Sequence, residues 1–287
     1  MNKPVPSSFW KIVFDGDHNE ISQATNSQVN SLEEAQAFTP EGAYTTFRTY
    51  ERFKVLNLSH HFDRLENTVS LAGGKIIIQR EALKRILVGF LSHFGAGESR
   101  VRISIDLTLH PYDFYVALEP LKVPSADEFK DGVMVSTESA TRENPQAKLN
   151  HFLSIAAEIR EQHDANCEEV IMMNETGELR EGLSSNFFAI KDGQVFTAEE
   201  GVLFGTTRAF VIDLINKLEI PLVRQPLKLA DLAEVKEAFI TSTSRSILPI
   251  RTIDSNALPK PVPGLVTKKL MKRFDADLAD ALEDLRN

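Results

Sequence analysis

The sequence predicts an α+β protein of two domains: a small α/β domain over residues 1–121, a polar connector over 122–128 and a larger β-rich domain over 129–287. Two observations carry this expectation. At 287 residues and 42% hydrophobic content, the chain can fill two cores of ordinary size. Its apolar period also switches repeatedly between about 3.6 and 2, and the run Leu121-Lys122-Val123-Pro124-Ser125-Ala126-Asp127-Glu128 between two such stretches reads as a linker.

In the first domain, residues 44–50 and 54–58 read as a strand pair. An amphipathic helix follows, with Phe62, Leu65, Val69 and Ala72 on one face, and then a second with Leu83, Ile86, Leu87, Phe90, Leu91 and Phe94. Two β-rich runs, 101–107 and 113–119, flank a turn at Pro111. The second domain opens with a strand at 132–137, reaches Lys148 and enters a helix carrying Phe152, Ile155, Ala156 and Ile159. The Asn174-Glu175-Thr176-Gly177 turn joins strands 169–173 and 178–181, and Asp192-Gly193 joins 186–191 to 194–197 as a tight hairpin. A helix at 207–218, strands at 237–241 and 247–253, and a final helix bearing Leu270, Phe274, Leu278, Leu282 and Leu285 complete the chain. No internal repeat or low-complexity tract interrupts it.

Composition excludes several functions. A formal charge of −9 without a basic patch argues against nucleic acid or an anionic membrane surface as partner. The single cysteine, Cys167, rules out an intramolecular disulfide and fits a reducing cytoplasm. The amino terminus, Met1-Asn2-Lys3-Pro4, lacks the apolar stretch of a signal peptide, and no run is long enough to span a bilayer. Seven scattered histidines do not make a metal site, so none is expected, and no Gly-x-Ser-x-Gly elbow occurs.

The most informative residues are Lys148 and the run Glu181-Gly182-Leu183-Ser184-Ser185-Asn186. A lysine amine holds an aldehyde cofactor as a Schiff base and, once displaced by substrate, moves protons at the substrate carbon. A carboxylate on a pyridine nitrogen favours the protonated ring by roughly 1–3 pKa units, which makes it a better electron sink. Gly205-Thr206-Thr207-Arg208 opens a helix, where the positive dipole end and two hydroxyls suit a phosphate, although a plain helix cap has the same pattern. Thr241-Ser242-Thr243-Ser244-Arg245-Ser246 follows the strand Ala238-Phe239-Ile240 with a dense set of hydroxyls, or is simply a polar loop. Arg64, in His61-Phe62-Asp63-Arg64, is suited to bidentate phosphate binding or to a solvated helix face.

Taken in order, these pieces resemble the class IV aminotransferases of pyridoxal phosphate fold type IV, the group of branched-chain and D-amino-acid aminotransferases and 4-amino-4-deoxychorismate lyases. The resemblance runs from about Gly42 to Asp254 through Gly42-Ala43-Tyr44, His-x-x-Arg-Leu at 61–65, Lys148, Glu-Gly-x-x-x-Asn at 181–186, Gly-x-Thr-Arg at 205–208 and Thr-Ser-Thr at 241–243. It implies pyridoxal 5'-phosphate as cofactor, with Lys148 and Glu181 catalytic and Leu203 packed against the ring. Arg64, Thr206, Thr207, Ser242 and Thr243 would hold the phosphate. Tyr44, Arg48 and Arg102, on small-domain strands that face the cofactor in that family, become candidates for a substrate carboxylate. Branched-chain aminotransferases commonly place a tyrosine where this chain has Phe152, which leaves Asn150 and His151 as nearby polar groups. The implied activity is transamination between an amino acid or amine and a 2-oxo acid in a homodimer. The alternatives are a lyase on the same scaffold and a cofactor-binding regulatory relative without turnover.

Overall fold

The computed structural model describes residues 7–14 and 21–287. They form two compact units: the described residues up to Lys122 with Ala147–His151 and Asp280–Asn287, and Val123–Gln146 with Phe152–Ala279. Two segments from the later part of the chain thus pack with the N-terminal unit.

Period-2 alternation in β-branched and aromatic residues builds the first unit. Strands β1 (Ser7–Phe14), β2 (Ile21–Val29), β3 (Gly42–Arg48), β5 (Ser99–Asp106) and β6 (Phe114–Pro120) form a sheet of order β2-β1-β6-β5-β3, every pairing antiparallel. Ile12, Phe47, Val101, Ile103, Ile105, Val116 and Leu118 are buried in its core. Helices α2 (Leu58–Leu71) and α3 (Arg80–Phe94) cover that core with Phe62, Leu65 and Val69, and with Leu83, Leu87 and Leu91. Register puts Tyr44 opposite Ser104, Thr46 opposite Arg102 and Arg48 opposite Arg100, which gives the other face its polar residues. The short helix α1 (Leu32–Gln36), capped by Ser31 Oγ accepting from Glu34 N–H, packs Leu32 and Ala35 there with Phe9, Tyr115 and Ala117.

Two sequence expectations need correction here. Residues 44–50 and 54–58 are not a strand pair: β3 ladders with β5, and β4 (Lys54–Leu56) with Leu282–Asp284. Glu51 and Arg52 turn the chain with positive φ, and between the two segments a single bridge, Tyr50 to Lys54, remains. The other side of β3 takes residues 148–150 instead, with Tyr44 N–H donating to Lys148 O at 2.9 Å and Asn150 N–H to Gly42 O at 3.0 Å. The final helix stops at Leu278, so Leu282 and Leu285 are not on it. The chain passes through a 3-10 turn, Ala279–Ala281, into an extended segment where Leu285 N–H donates to Phe53 O. Tertiary pairing there overrides a spacing that mimics a helix. Strands β1 and β2 have no counterpart among the expected elements.

The second unit begins with α4 (Ala126–Asp131), whose Ser125 and Glu128 make a reciprocal capping box inside the expected connector. Strands β7 (Val133–Ser139), β8 (Glu169–Met173), β9 (Leu179–Gly182), β10 (Asn186–Lys191), β11 (Gln194–Phe196), β12 (Leu222–Val223), β13 (Glu237–Ser242) and β14 (Ser246–Ile253) are ordered β12-β11-β10-β13-β14-β7-β8-β9, with β15 (Asn256–Ala257) on β14. The pairing of Asn186 with Glu181 joins β9 to β10 as well, so the path β10-β13-β14-β7-β8-β9 closes on itself. Asp192 and Gly193 turn β10 into β11 with positive φ, as the dipeptide predicts. Helix α5 (His151–Glu161) buries Phe152 and Ala156 while leaving Ile155 exposed, and α6 (Thr206–Lys217) and α7 (Leu265–Leu278) carry the remaining apolar stripes. Among the described residues no helix is long and apolar enough to cross a membrane.

Candidate active site

In the first unit the edge of β3 fixes the lysine. Main-chain bonds hold it on both sides: Tyr44 N–H donates to Lys148 O, and Lys148 N–H to Thr68 Oγ1 at 3.2 Å. Lys148 Nζ lies 4.5 Å from the Tyr44 ring centroid. Asn150 is buried, accepts from Gly42 N–H at 2.9 Å and donates to Pro40 O at 2.7 Å. Its amide therefore anchors the lysine segment to the strand.

Arg64 has two polar neighbours, His61 one turn earlier on the same helix and Thr45 on β3, which the sequence does not place beside it. Its Nη2 donates to Thr45 Oγ1 at 2.9 Å, and His61 Nδ1 lies 2.9 Å from the same hydroxyl. Burial, reinforced by the neighbouring Arg64, His60 and Lys148, holds the His61 pKa well below its ordinary value. The imidazole is thus neutral and supports Arg64 without competing for an anion.

Of the expected substrate residues, Tyr44 and Arg102 adjoin, with the guanidinium 5.6 Å from the ring centroid. Arg102 is buried, donates to Leu32 O at 3.0 Å and has no carboxylate within ion-pair distance among the described residues. Burial pushes its pKa down. Arg48 is engaged elsewhere, paired to Glu98 at 2.5 Å and stacked on Tyr50.

In the second unit Asn186 is the hub. Its Nδ2 donates to Glu181 Oε2 at 3.1 Å and to Leu203 O at 2.8 Å, while Leu203 N–H donates to the same carboxylate oxygen at 3.0 Å. Its Oδ1 lies where a side chain on Gly205 would begin, since an added Cβ would come within 2.3 Å of it. Gly205 is the N-cap of α6, so this contact draws the helix start, with the buried Thr206 and Thr207, against Asn186. The register of β13 sets Thr241 opposite Asn186. Thr241 Oγ1 and Ser242 Oγ are buried without a hydrogen-bond partner among the described residues. An anion that accepted from them would offset a desolvation cost of about 1–3 kcal/mol for each unsatisfied hydroxyl.

Glu181 is 2% exposed, and its other oxygen, Oε1, faces Arg142 Nε at 3.3 Å. Arg142 stacks on Phe152, its guanidinium carbon 3.8 Å from the ring centroid. Phe152, at the position where a tyrosine is common in the resembled family, thus contributes an aromatic face. Sequence reasoning alone does not find Arg142 and gives Asn186 no task. The first lies in a run with no periodic signal; the second is marked by the Glu-Gly-x-x-x-Asn pattern but not by its job.

The model of the family described as amino-transferase class IV matches residues 42–253. A Thermotoga maritima protein named a probable branched-chain-amino-acid aminotransferase is 28% identical over 239 residues, 81% of this chain and 84% of its own. A D-alanine aminotransferase of Listeria monocytogenes is 27% identical, covering 85% and 89%. Among solved structures, a branched-chain aminotransferase from the archaeon Thermoproteus uzoniensis, determined with norvaline, superposes with a TM-score of 0.73 over 96% of this chain and 99% of its own, at 22% identity.

Proposed function

The chain belongs to the class IV aminotransferase family and is an enzyme of that kind, and on this premise we propose that it binds pyridoxal 5'-phosphate and uses Lys148 and Glu181 to move an amino group between an amino acid or amine and a 2-oxo acid. When bound, the cofactor supplies an electrophilic aldehyde and a protonated pyridine ring that accepts the electron pair left at the substrate α-carbon. The observation that supports this reading most is the cluster around Asn186, where an acidic group held on three sides is hydrogen-bonded through Asn186 and Leu203 next to a helix N-terminus, with the unsatisfied Thr241 hydroxyl on the strand position paired with Asn186 and that of Ser242 following it. A carboxylate and a set of anion donors are what a ring nitrogen and a phosphate require.

Lys148 would be the covalent anchor and, once released, the base whose Nζ takes and redelivers the proton at the substrate α-carbon. The Tyr44 ring lies beside this amine. Glu181 would face the ring nitrogen, its orientation fixed by Asn186, by Leu203 N–H and by Arg142. Leu203 would pack on the ring. Arg64, Thr206, Thr207, Ser242 and Thr243 would receive the phosphate, with Thr45 and neutral His61 holding Arg64 in place. The kinetic test is an initial-rate study with donor and oxo acid both varied. Parallel double-reciprocal lines are expected, because the first product leaves before the second substrate binds; intersecting lines or a single-substrate elimination would overturn the reading.

Arg102 is the residue expected to grip a substrate carboxylate. If its guanidinium makes one charge-assisted bond worth about 1.5–3 kcal/mol, Arg102→Ala raises the apparent KM for 2-oxoglutarate by roughly 10–150-fold and spares small monoamine donors. An equal loss for every substrate would assign Arg102 to the Leu32 carbonyl and the fold.

The reading includes a cytoplasmic homodimer in which the neighbouring chain supplies part of each substrate pocket, since two-fold closure is the commonest oligomeric solution. Sedimentation should give twice the 32.1 kDa chain mass. A fully active monomer would remove the shared pocket.

A further inference from the structure

Glu169 is the first residue of β8, and its side chain is completely buried. A buried carboxylate is costly unless it is paired and hydrogen-bonded. This one is both. Its Oε2 accepts from Ser184 N–H at 3.1 Å, from Ser184 Oγ at 2.7 Å and from Arg245 Nη1 at 3.4 Å, and its Oε1 accepts from Val170 N–H at 3.1 Å. Arg245 in turn donates to Ser184 Oγ at 3.0 Å, to Glu168 Oε1 at 2.6 Å and to Glu168 O at 3.3 Å. Ser184 lies in the turn between β9 and β10, whose ends carry Glu181 and Asn186. Arg245 lies in the turn between β13 and β14, beside Ser242 and Thr243. One buried carboxylate therefore ties together the two turns that bear the proposed ring contact and the proposed phosphate donors.

Gly182 supports the same point independently. A Cβ there would lie 2.7 Å from Glu169 Cγ and 2.3 Å from Ser185 Oγ, so the stem of Glu169 occupies the space beside the residue after Glu181. The β13–β14 turn also needs holding, because Ser246 adopts a φ of 53° that favours glycine.

We propose that Glu169, Ser184 and Arg245 form a brace fixing the phosphate-side turn against the ring-side turn, and that Arg245, which has no assigned contact with the cofactor, is a positioning residue for phosphate affinity. This rests on the reading of Ser242 and Thr243 as phosphate donors. The test compares dissociation constants for pyridoxal 5'-phosphate and for pyridoxal, which lacks the phosphate, in the wild type and in Arg245→Ala and Arg245→Lys. Arg245→Ala is expected to weaken pyridoxal phosphate binding about 10-fold and leave pyridoxal within about 2-fold, with Arg245→Lys recovering part of the loss. Amide hydrogen exchange on the apo chain supplies a second readout: Ser184 and Thr243 should exchange faster in Arg245→Ala, while Ile240 and Leu248 should not change. Equal weakening of both ligands, or unchanged exchange at Ser184 and Thr243, would overturn the brace. A wild type that binds no pyridoxal phosphate would instead overturn the proposed function, and exchange in the apo chain would still decide whether the brace exists.

Discussion

Lys148→Ala is expected to lower amino transfer by at least about 10³-fold, because it removes the covalent anchor and the proton carrier together. The fold should survive. Two hydrogen bonds that seat this residue, from Tyr44 N–H and to Thr68 Oγ1, use main-chain atoms that alanine retains. The ammonium over the Tyr44 ring is lost, an interaction worth about 0.5–1 kcal/mol at a partly exposed site. Circular dichroism and the unfolding midpoint should therefore stay close to wild type while activity is lost. Residual turnover within about 10-fold of wild type would mean that another amine does the work.

Glu181→Gln is expected to slow removal of the substrate α-proton by about 10–10³-fold, the range that corresponds to losing roughly 1.4–4 kcal/mol of electrostatic support. Glutamine keeps the length and one acceptor for Leu203 N–H, so cofactor binding should persist. One local cost accompanies the change: Arg142, nearly fully buried, loses its counter-charge and faces the new amide nitrogen if the amide oxygen stays with Asn186 Nδ2 and Leu203 N–H. A lower unfolding midpoint is thus expected beside the rate loss. A primary isotope effect with α-deuterated donor separates the two, because only the chemical step should slow; wild-type rates would show that no ring nitrogen is partnered by this carboxylate.

Much of the fold is legible in the sequence because the informative elements are local. The stripes Phe62-Leu65-Val69 and Leu83-Leu87-Leu91 specify their helices by spacing alone, and Asp192-Gly193 specifies its turn by the positive φ it must adopt. Sequence and structure part where long-range pairing decides. Nothing near Lys54 says that its strand partner lies at Leu282–Asp284, and the leucine spacing beyond Leu278 continues a helical pattern that the chain abandons to make that pairing. The Ser125-x-x-Glu128 cap is different, a local signal of a helix inside a run that otherwise looks like a linker. At the site, the ordered motifs identify Glu181, Gly205 and the hydroxyl run. They do not reveal that Asn186 gathers them, that Arg142 backs the carboxylate, or that Thr45 holds Arg64, since each of those contacts depends on residues brought together by the fold.

On the proposed function, Lys148 holds the cofactor. Borohydride reduction of the pyridoxal phosphate-loaded protein, followed by proteolysis and mass mapping, tests this directly. A single phosphopyridoxyl label on the peptide containing Lys148 is the expected result. A label on any other lysine, or none on the loaded protein, would contradict it.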